Sequence, residues 1–399
     1  MDKKRLIAIA LGTAVVVVGL LVAIRAKRLV DTAPEERAMN DALLAEALVE
    51  DGKTYLIPPE EMYESGLTSE DVPALTDPSF TTIAAMDGVL ADEVYGIDVE
   101  VDGVHRFYSQ QILNWHRVVN DTEAGLAITF DPLTGAAVVY QVQKESGEML
   151  RFDVSGKVYN NGMLLADGRG DLWWQMEGVL VVAKNGGDMP QTVGEELTQY
   201  PSQSIRWMDW KELYPSGEVL SDATGFDRDY TRHPYGQYTT TMNVYFPVSS
   251  TDERIPGSKW AVYGLSINGE ELAIPKLALY KEPAEGSDED PGPRLYNATL
   301  GGMHLVALYD HDLDVVHVFS TDMNGGALSF SWDAEREVYV DDATGSTWSA
   351  TGIATAGELR GASLVRMNAP EYYWFAWAAA HPDTRVAVLD ENPLPDEDD

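Results

Sequence analysis

The sequence predicts a mainly β, α+β fold: an internally duplicated, antiparallel, two-lobed domain with a few helices, preceded by one N-terminal transmembrane helix. Three observations predict it. Short segments that alternate apolar and polar residues, such as Val94 to Val101, recur between Gly, Asn and Asp turns. The same order of elements is met twice along the chain. A run of 19 uncharged, mostly apolar residues, Leu6 to Ile24, stands near the N-terminus.

At about 1.5 Å per residue, Leu6 to Ile24 is long enough to cross a hydrocarbon core about 30 Å thick. Arg25, Lys27 and Arg28 follow with no small-x-small cleavage pattern before them, so residues 1–28 read as an uncleaved anchor. Lys3, Lys4 and Arg5 flank the other end, and charge alone therefore does not orient it. Residues 29–78 read as a stalk and connector: Ala38, Leu43, Leu44, Ala47 and Leu48 share a helical face, and prolines recur from Ile57 to Pro78. A first β-rich repeat is expected over 79–220, an inter-lobe segment over 221–256 and a second repeat over 257–389. Glu282 to Arg294 reads as a solvated loop within the second repeat, and residues 390–399 as an acidic disordered tail.

Val94-Tyr95-Gly96 opens a hairpin with a turn at Val101-Asp102-Gly103, and Val262-Tyr263-Gly264 opens another with a turn at Ile267-Asn268-Gly269. Residues 129–140 then parallel 308–319, residues 167–174 parallel 342–349, and residues 207–215 parallel 374–382. The offsets stay close enough for a duplication with small insertions, although two copies do not make a solenoid. Each copy closes on a helix whose tryptophans, Trp207 and Trp210 or Trp374 and Trp377, fall on one face. Such a face packs on a sheet or, in the alternative, stacks on a ligand.

With 399 residues, 45% of them apolar, the chain can bury a large core. Its 28 basic and 65 acidic residues give a formal charge of -37; setting aside the six basic and one acidic residues of 1–28 leaves 22 against 64, or -42. Such a surface repels phosphate backbones, so nucleic acid is not an expected partner. The acidity, with only 11 lysines, fits either a halophilic protein hydrated in concentrated salt or simply an acidic exported one. The absence of cysteine excludes disulfides, Cys-zinc sites, iron–sulfur clusters and thiol nucleophiles.

The stretch Gln111 to Tyr140 is dense in specific residues: Ile112-Leu113-Asn114-Trp115-His116, an Asn120-Asp121-Thr122 turn, then an apolar strand ending at Asp131-Pro132-Leu133-Thr134. It resembles the exported prokaryotic family known as domain of unknown function 3179, and so do Phe152 to Leu165, Gly170 to Gln175, Trp207 to Pro215, Thr224 to Tyr238 and Trp374 to Thr384. The resemblance runs from about Pro78 to Val388. In that family the turn usually reads Cys-Pro-Leu-Cys or Cys-Pro-Leu-Thr; Asp131 and Thr134 stand at those positions here, so thiolate chemistry is absent. The resemblance implies a membrane-associated or exported β-rich domain of unassigned biochemical role, facing outward.

The copies differ most at Asn114 to Asp121, so a localised function would sit in the first. His116 can serve as a general base or metal ligand, and Asp131 as a carboxylate partner or hard oxygen ligand, with Asn120 and Asp121 completing a catalytic set and a divalent metal as the candidate cofactor. The competing readings are a hydrogen-bonded packing histidine and an aspartate that satisfies turn amides. Tyr159, Asn160, Trp173, Gln175, Arg228, Tyr230 and Tyr235 are the candidate ligand-binding residues, the last three on a polar segment, Asp227 to Tyr235, that otherwise locks the lobes by salt bridges. His304, His311 and His317 lie near Asp310, Asp312 and Asp314, at spacings that match no metal motif. Ser155 lacks a nucleophile-elbow pattern, and no P-loop or dinucleotide fingerprint occurs. Asn120 and Asn297 head formal glycosylation acceptors. The functional expectation is a membrane-anchored extracytoplasmic binding or structural module, partnered by the lipid bilayer through residues 6–24 and by an envelope protein. The alternative is a metal-dependent or acid–base enzyme, or the remnant of one, around His116 and Asp131.

Overall fold

The computed structural model describes residues 47–144, 147–185, 192–279, 295–323 and 326–388. The expected membrane helix at 6–24, most of the stalk helix, the loop at 282–294 and the acidic tail lie outside them. Among the described residues no helix is long and apolar enough to cross a membrane.

The first lobe starts with β1 (Tyr95–Val101) and β2 (Val104–Ser109), joined at Asp102 and Gly103 with φ of 51° and 81°. Two consecutive left-handed residues make the turn whose twist matches that of the strands, as the Asp-Gly pair predicts. Helix α1 (Gln110–His116) follows, started by the Ser109 hydroxyl accepting from the Gln111 amide. A meander of β3 (Val118–Asp121), β4 (Leu126–Asp131) and β5 (Ala136–Gln141) comes next. Its strands are buried almost throughout, which is why they read as continuous apolar runs and not as alternations. A second meander adds β6 (Phe152–Tyr159), β7 (Gly162–Asp167), β8 (Leu172–Trp174) and β9 (Val179–Lys184). The chain then returns: β10 (Gln203–Arg206) pairs antiparallel with β1, α2 (Trp207–Leu213) crosses over, and β11 (Glu218–Leu220) lies parallel to β2.

The second lobe repeats the order. Strands β12 (Ala261–Ile267) and β13 (Glu270–Pro275) meet at Asn268 and Gly269, with φ of 51° and 76°, and the short α3 (Lys276–Leu279) follows. A meander of β14 (Leu295–Leu300), β15 (Met303–Asp310) and β16 (Val315–Ser320) precedes a second of β17 (Phe330–Asp333), β18 (Val338–Asp341), β19 (Thr347–Trp348) and β20 (Ala354–Ala356). Finally β21 (Glu371–Tyr373) pairs with β12, α4 (Trp374–Ala380) crosses, and β22 (Arg385–Val386) lies parallel to β13. The returning sheets therefore share one order, β10-β1-β2-β11 and β21-β12-β13-β22.

Side-chain details repeat as well. Asn120 clamps the Phe152 backbone, donating to its carbonyl at 3.0 Å and accepting from its amide at 2.9 Å; Asn297 does the same to Phe330 at 2.9 and 3.0 Å. Trp173 donates its indole N–H to Asp167, and Trp348 donates to Asp341. Gly96 and Gly264, the third residues of the two Val-Tyr-Gly triplets, each lie under a large ring: a Cβ there would come within 2.3 Å of Phe107 or 2.2 Å of Trp377. The tryptophan pairs of α2 and α4 are buried, which assigns them to packing and removes the ligand-stacking alternative. Trp207 and Trp210 stack with ring centroids 5.7 Å apart, with Phe107 against both.

One expectation needs correction. Residues 47–78 are no free connector: Leu48–Glu50 and Lys53–Tyr55 extend the β6–β9 sheet beyond β9, Tyr63–Glu64 pairs on β6 at the opposite edge, and Leu75–Thr76 runs parallel to β3. Unpaired strand edges seek partners, and these short segments supply them. The two lobes of the domain meet in a common core. Val262, Ala273, Tyr372, Trp374 and Phe375 of the second lobe share one apolar core with Phe152, Trp173 and Leu180 of the first, and the Tyr373 amide donates to the Thr134 carbonyl at 2.7 Å.

Candidate functional site

Helix α1 stops at His116 because Arg117 turns left-handed, with φ of 59°, and returns its amide to Leu113 O at 2.6 Å. A non-glycine residue pays strain there. Arg117 is held by its surroundings: its guanidinium is buried, donates from Nε to the Tyr235 hydroxyl at 2.9 Å and lies 5.2 Å from that ring's centroid. Tyr235 belongs to the inter-lobe segment, which passes over α1 as a strap. Gln111 donates to the Tyr230 carbonyl, Trp115 donates to the Arg232 carbonyl, and Arg228 sits over the Trp115 ring while donating to Asp71 O. The expected salt-bridge lock is thus a lock of a different kind, made from backbone carbonyls and cation–π contacts.

His116 is fully buried beneath this strap. Its Nδ1 faces the Pro73 carbonyl at 2.7 Å, and a carbonyl only accepts, so Nδ1 carries the proton. Nε2 therefore holds the lone pair and accepts from the Tyr230 hydroxyl at 2.6 Å; Tyr230 in turn accepts from Thr224 at 2.6 Å. Burial lowers the imidazole pKa, with the Pro73 carbonyl opposing and Arg228 reinforcing the shift, and a neutral ring is what this chain of bonds requires. Both nitrogens are thus engaged by the chain.

Asp131 is fully buried too, and its oxygens serve the chain: Oδ1 accepts from the Leu133 amide at 3.0 Å and Oδ2 from the Met163 amide at 2.7 Å. Burial raises its pKa, opposed by the nearby Arg117, these two amides and the Thr134 hydroxyl. Among the described residues there is no group of three or more His, Asp or Glu side chains that could hold a metal ion. His116 and Asp131 share no hydrogen-bond partner, and each is engaged by the chain separately.

The remaining candidates make contacts within the fold. Asn120 clamps Phe152, as above, from a buried position; Asn297 makes the same clamp from an exposed one. Asp121 accepts from Arg106 at 2.9 Å, Tyr108 at 3.0 Å and the Ala124 amide. Asn160 is the first residue of the two-residue turn between β6 and β7, at φ 48°, and its side chain exchanges two bonds with Ser249. Tyr159 packs edge-on against Trp174, Trp173 is fully buried, and Gln175 donates to Thr129 and to Ala136 O from inside the core. The structure does bring His116, Tyr230 and Arg228 together, and Arg117 with Tyr235 near Asp131, but as two buried knots under one strap.

The match to a family model described as "Protein of unknown function (DUF3179)" spans residues 69–384, both lobes apart from the short strands before residue 69 and β22. The chain belongs to the DUF3179 family. No curated protein and no solved structure matches it. In this DUF3179 chain one titratable pair escaped the sequence reading: His105 Nδ1 lies 3.0 Å from both oxygens of the buried Asp98, which also accepts from the Trp210 indole at 2.7 Å. The Asp-Gly turn fixes Glu100 opposite His105, so Asp98 is the diagonal neighbour, and that register was the signal that could have found it. Tyr214 stacks on the imidazole at 3.5 Å and covers one face.

The second-lobe histidines do not converge either. His304 pairs with Asp322 at 2.7 Å, His311 is exposed, and His317 is buried with Nε2 3.8 Å from Asp310. Beside them the DUF3179 fold opens a pocket of about 540 Å³ between the turn after β15 and the β17–β20 meander.

Proposed function

We propose that this DUF3179 protein is a membrane-anchored, extracytoplasmic binding or structural module built from two copies of one β-rich unit, and that it does no chemistry through His116 or Asp131. One observation carries the reading: the lone pairs and protons of His116, and both oxygens of Asp131, are engaged by the chain itself. Both groups are also closed off from solvent, and a base or metal ligand has to be reached by its substrate or ion. The duplication is supported by the common sheet order and by the paired Asn120 and Asn297 clamps. Residues 6–24 supply the bilayer partner. The net charge of the rest keeps it off anionic headgroups and suits a halophilic setting, with an envelope protein as the macromolecular partner.

The test is topological and elemental. Cells expressing the full chain with a C-terminal tag should retain the tag in membranes, lose it to external protease, and release it in soluble form once residues 1–28 are deleted. A tag protected from outside, or a soluble chain with residues 1–28 intact, overturns the placement. Stoichiometric metal in the purified chain that disappears in His116→Ala overturns the non-catalytic assignment.

A further inference from the structure

We propose that the stretch of the strap from Tyr230 to Thr251 is a self-association surface, on which a second copy of this chain docks across a two-fold axis. The inference deepens the binding-module reading and rests on it, since it names the protein itself as a partner.

The stretch stands out by charge. Asp and Glu make up 65 of the 399 residues, yet Tyr230 to Thr251 contain neither, the longest such run among the described residues. Arg232 is its one lysine or arginine, and burial lowers the pKa of His233, which stays neutral. Most of the run is nonetheless exposed, with Met242 at 43% and Tyr245 at 58%. A surface short of charge that bears exposed aromatic, Met and Arg side chains has the make-up of the centre of a protein–protein contact.

Apart from one turn of 3-10 helix, Tyr238–Thr240, the run is irregular, and a connection this long without strand or helix is uncommon in a compact domain unless it has a task of its own. It is also fixed. The Tyr238 hydroxyl donates to the Leu133 carbonyl at 2.8 Å, Lys259 Nζ donates to the Tyr238 carbonyl at 2.7 Å, and Asn161 exchanges two 2.8 Å bonds with the Phe246 backbone. The Tyr245 ring rests on Tyr238 with centroids 4.4 Å apart, and the Met242 carbonyl accepts from Ser258 at 3.1 Å. A face ordered before contact loses little conformational entropy in making one.

Charge selects the occupant. An acidic protein or an anionic headgroup is met by several lysines or arginines, and this face offers one arginine. Two copies of a chain of formal charge -37 repel wherever their carboxylates meet, and a two-fold contact lays each patch on its own image. An acid-free patch can be its own partner. Anchorage in one bilayer holds the copies in a plane, where a modest affinity suffices.

The test uses the full chain, whose lack of cysteine lets a single thiol be placed at will. Gln237→Cys, Met242→Cys and Tyr245→Cys are expressed singly in membranes and oxidised with copper phenanthroline, with Val365→Cys, at a position 60% exposed on the second lobe, as the control. At least one strap thiol should give a disulfide-linked dimer, and the control should not. Light scattering of the purified chain in detergent should show a dimer whose dissociation constant falls as sodium chloride rises from about 0.1 to about 1 M, because screening relieves the repulsion between copies. Met242→Glu combined with Tyr245→Glu should raise that constant by about tenfold or more while leaving the urea midpoint unchanged. Failure of all three strap thiols to cross-link, equal cross-linking of the control, or a dimer that survives the double glutamate variant overturns the proposal. Association that weakens with salt overturns it as well, in favour of an oppositely charged partner. A monomer in a chain that the protease test finds outside and membrane-held sinks the face and spares the module. A strap dimer in a chain that the protease test places inside the cell sinks the module's location and spares the face.

Discussion

The two asparagine clamps allow a test in which chemistry is held constant and only burial differs. Asn120 and Asn297 make the same pair of bonds, to Phe152 and Phe330, at distances within 0.1 Å of each other. Asn120 is 3% exposed, whereas Asn297 lies at the surface. Leucine branches at the same atom as asparagine and is the bulkier of the two, so Asn120→Leu removes the amide without opening a cavity and strands the N–H and C=O of Phe152 away from water. Each stranded group costs about 1–3 kcal/mol, giving about 2–6 kcal/mol together. In Asn297→Leu water reaches the released groups of Phe330, and the loss falls to the net worth of two exchanged bonds, about 1–3 kcal/mol. Urea unfolding of each variant measures the difference, and hydrogen exchange of the peptides around Phe152 and Phe330 localises it. The first variant should lose at least about twice as much stability as the second. Equal losses, or a larger one at Asn297, would refute the argument that burial sets the value of these clamps.

Other predictions follow from the same geometry. Gly96→Ala and Gly264→Ala, which drive a Cβ into Phe107 and Trp377, should each cost about 1–3 kcal/mol or more in the urea assay, while Gly168→Ala, with nothing within 4 Å, should be neutral. Burial lowers the pKa of His116 and His317 below 6.5, so on acidification the unfolded chain takes up protons that the folded chain refuses. Stability is then lost as pH falls from 6.5 through the depressed values, and a His116→Gln, His317→Leu double variant should show a shallower loss down to about pH 5; an unchanged slope would locate the titration elsewhere. With a formal charge of -37, raising sodium chloride from about 0.1 to about 1 M, which shortens the screening length from about 10 to about 3 Å, should raise the urea midpoint. A midpoint that falls with salt would count against carboxylate repulsion as a destabilising force.

Features decided by neighbouring residues were legible in the sequence. Asp102-Gly103 and Asn268-Gly269 announced the two hairpins, because few other pairs accept two consecutive left-handed conformations. The tryptophans of α2 and α4 announced buried helical faces, and family membership followed from the ordered motifs. Features decided at long range were not legible. The bond of Asp131 to the Leu133 amide is the local turn contact that the sequence offers beside the catalytic reading, whereas its second partner, the Met163 amide 32 residues on at 2.7 Å, carries no local signal. His116 looked available until Pro73 and Tyr230, 43 and 114 residues away, took both its nitrogens. Residues 48–76 looked like a connector because their strands are two or three residues long and too short to carry a periodic signal.

The core that runs from Trp173 through Phe375 has a consequence for either lobe on its own. A half-length chain carrying one lobe would leave that aromatic and aliphatic surface wet, and two such polypeptides would have to associate to cover it. Covalent continuity makes the association intramolecular and independent of concentration.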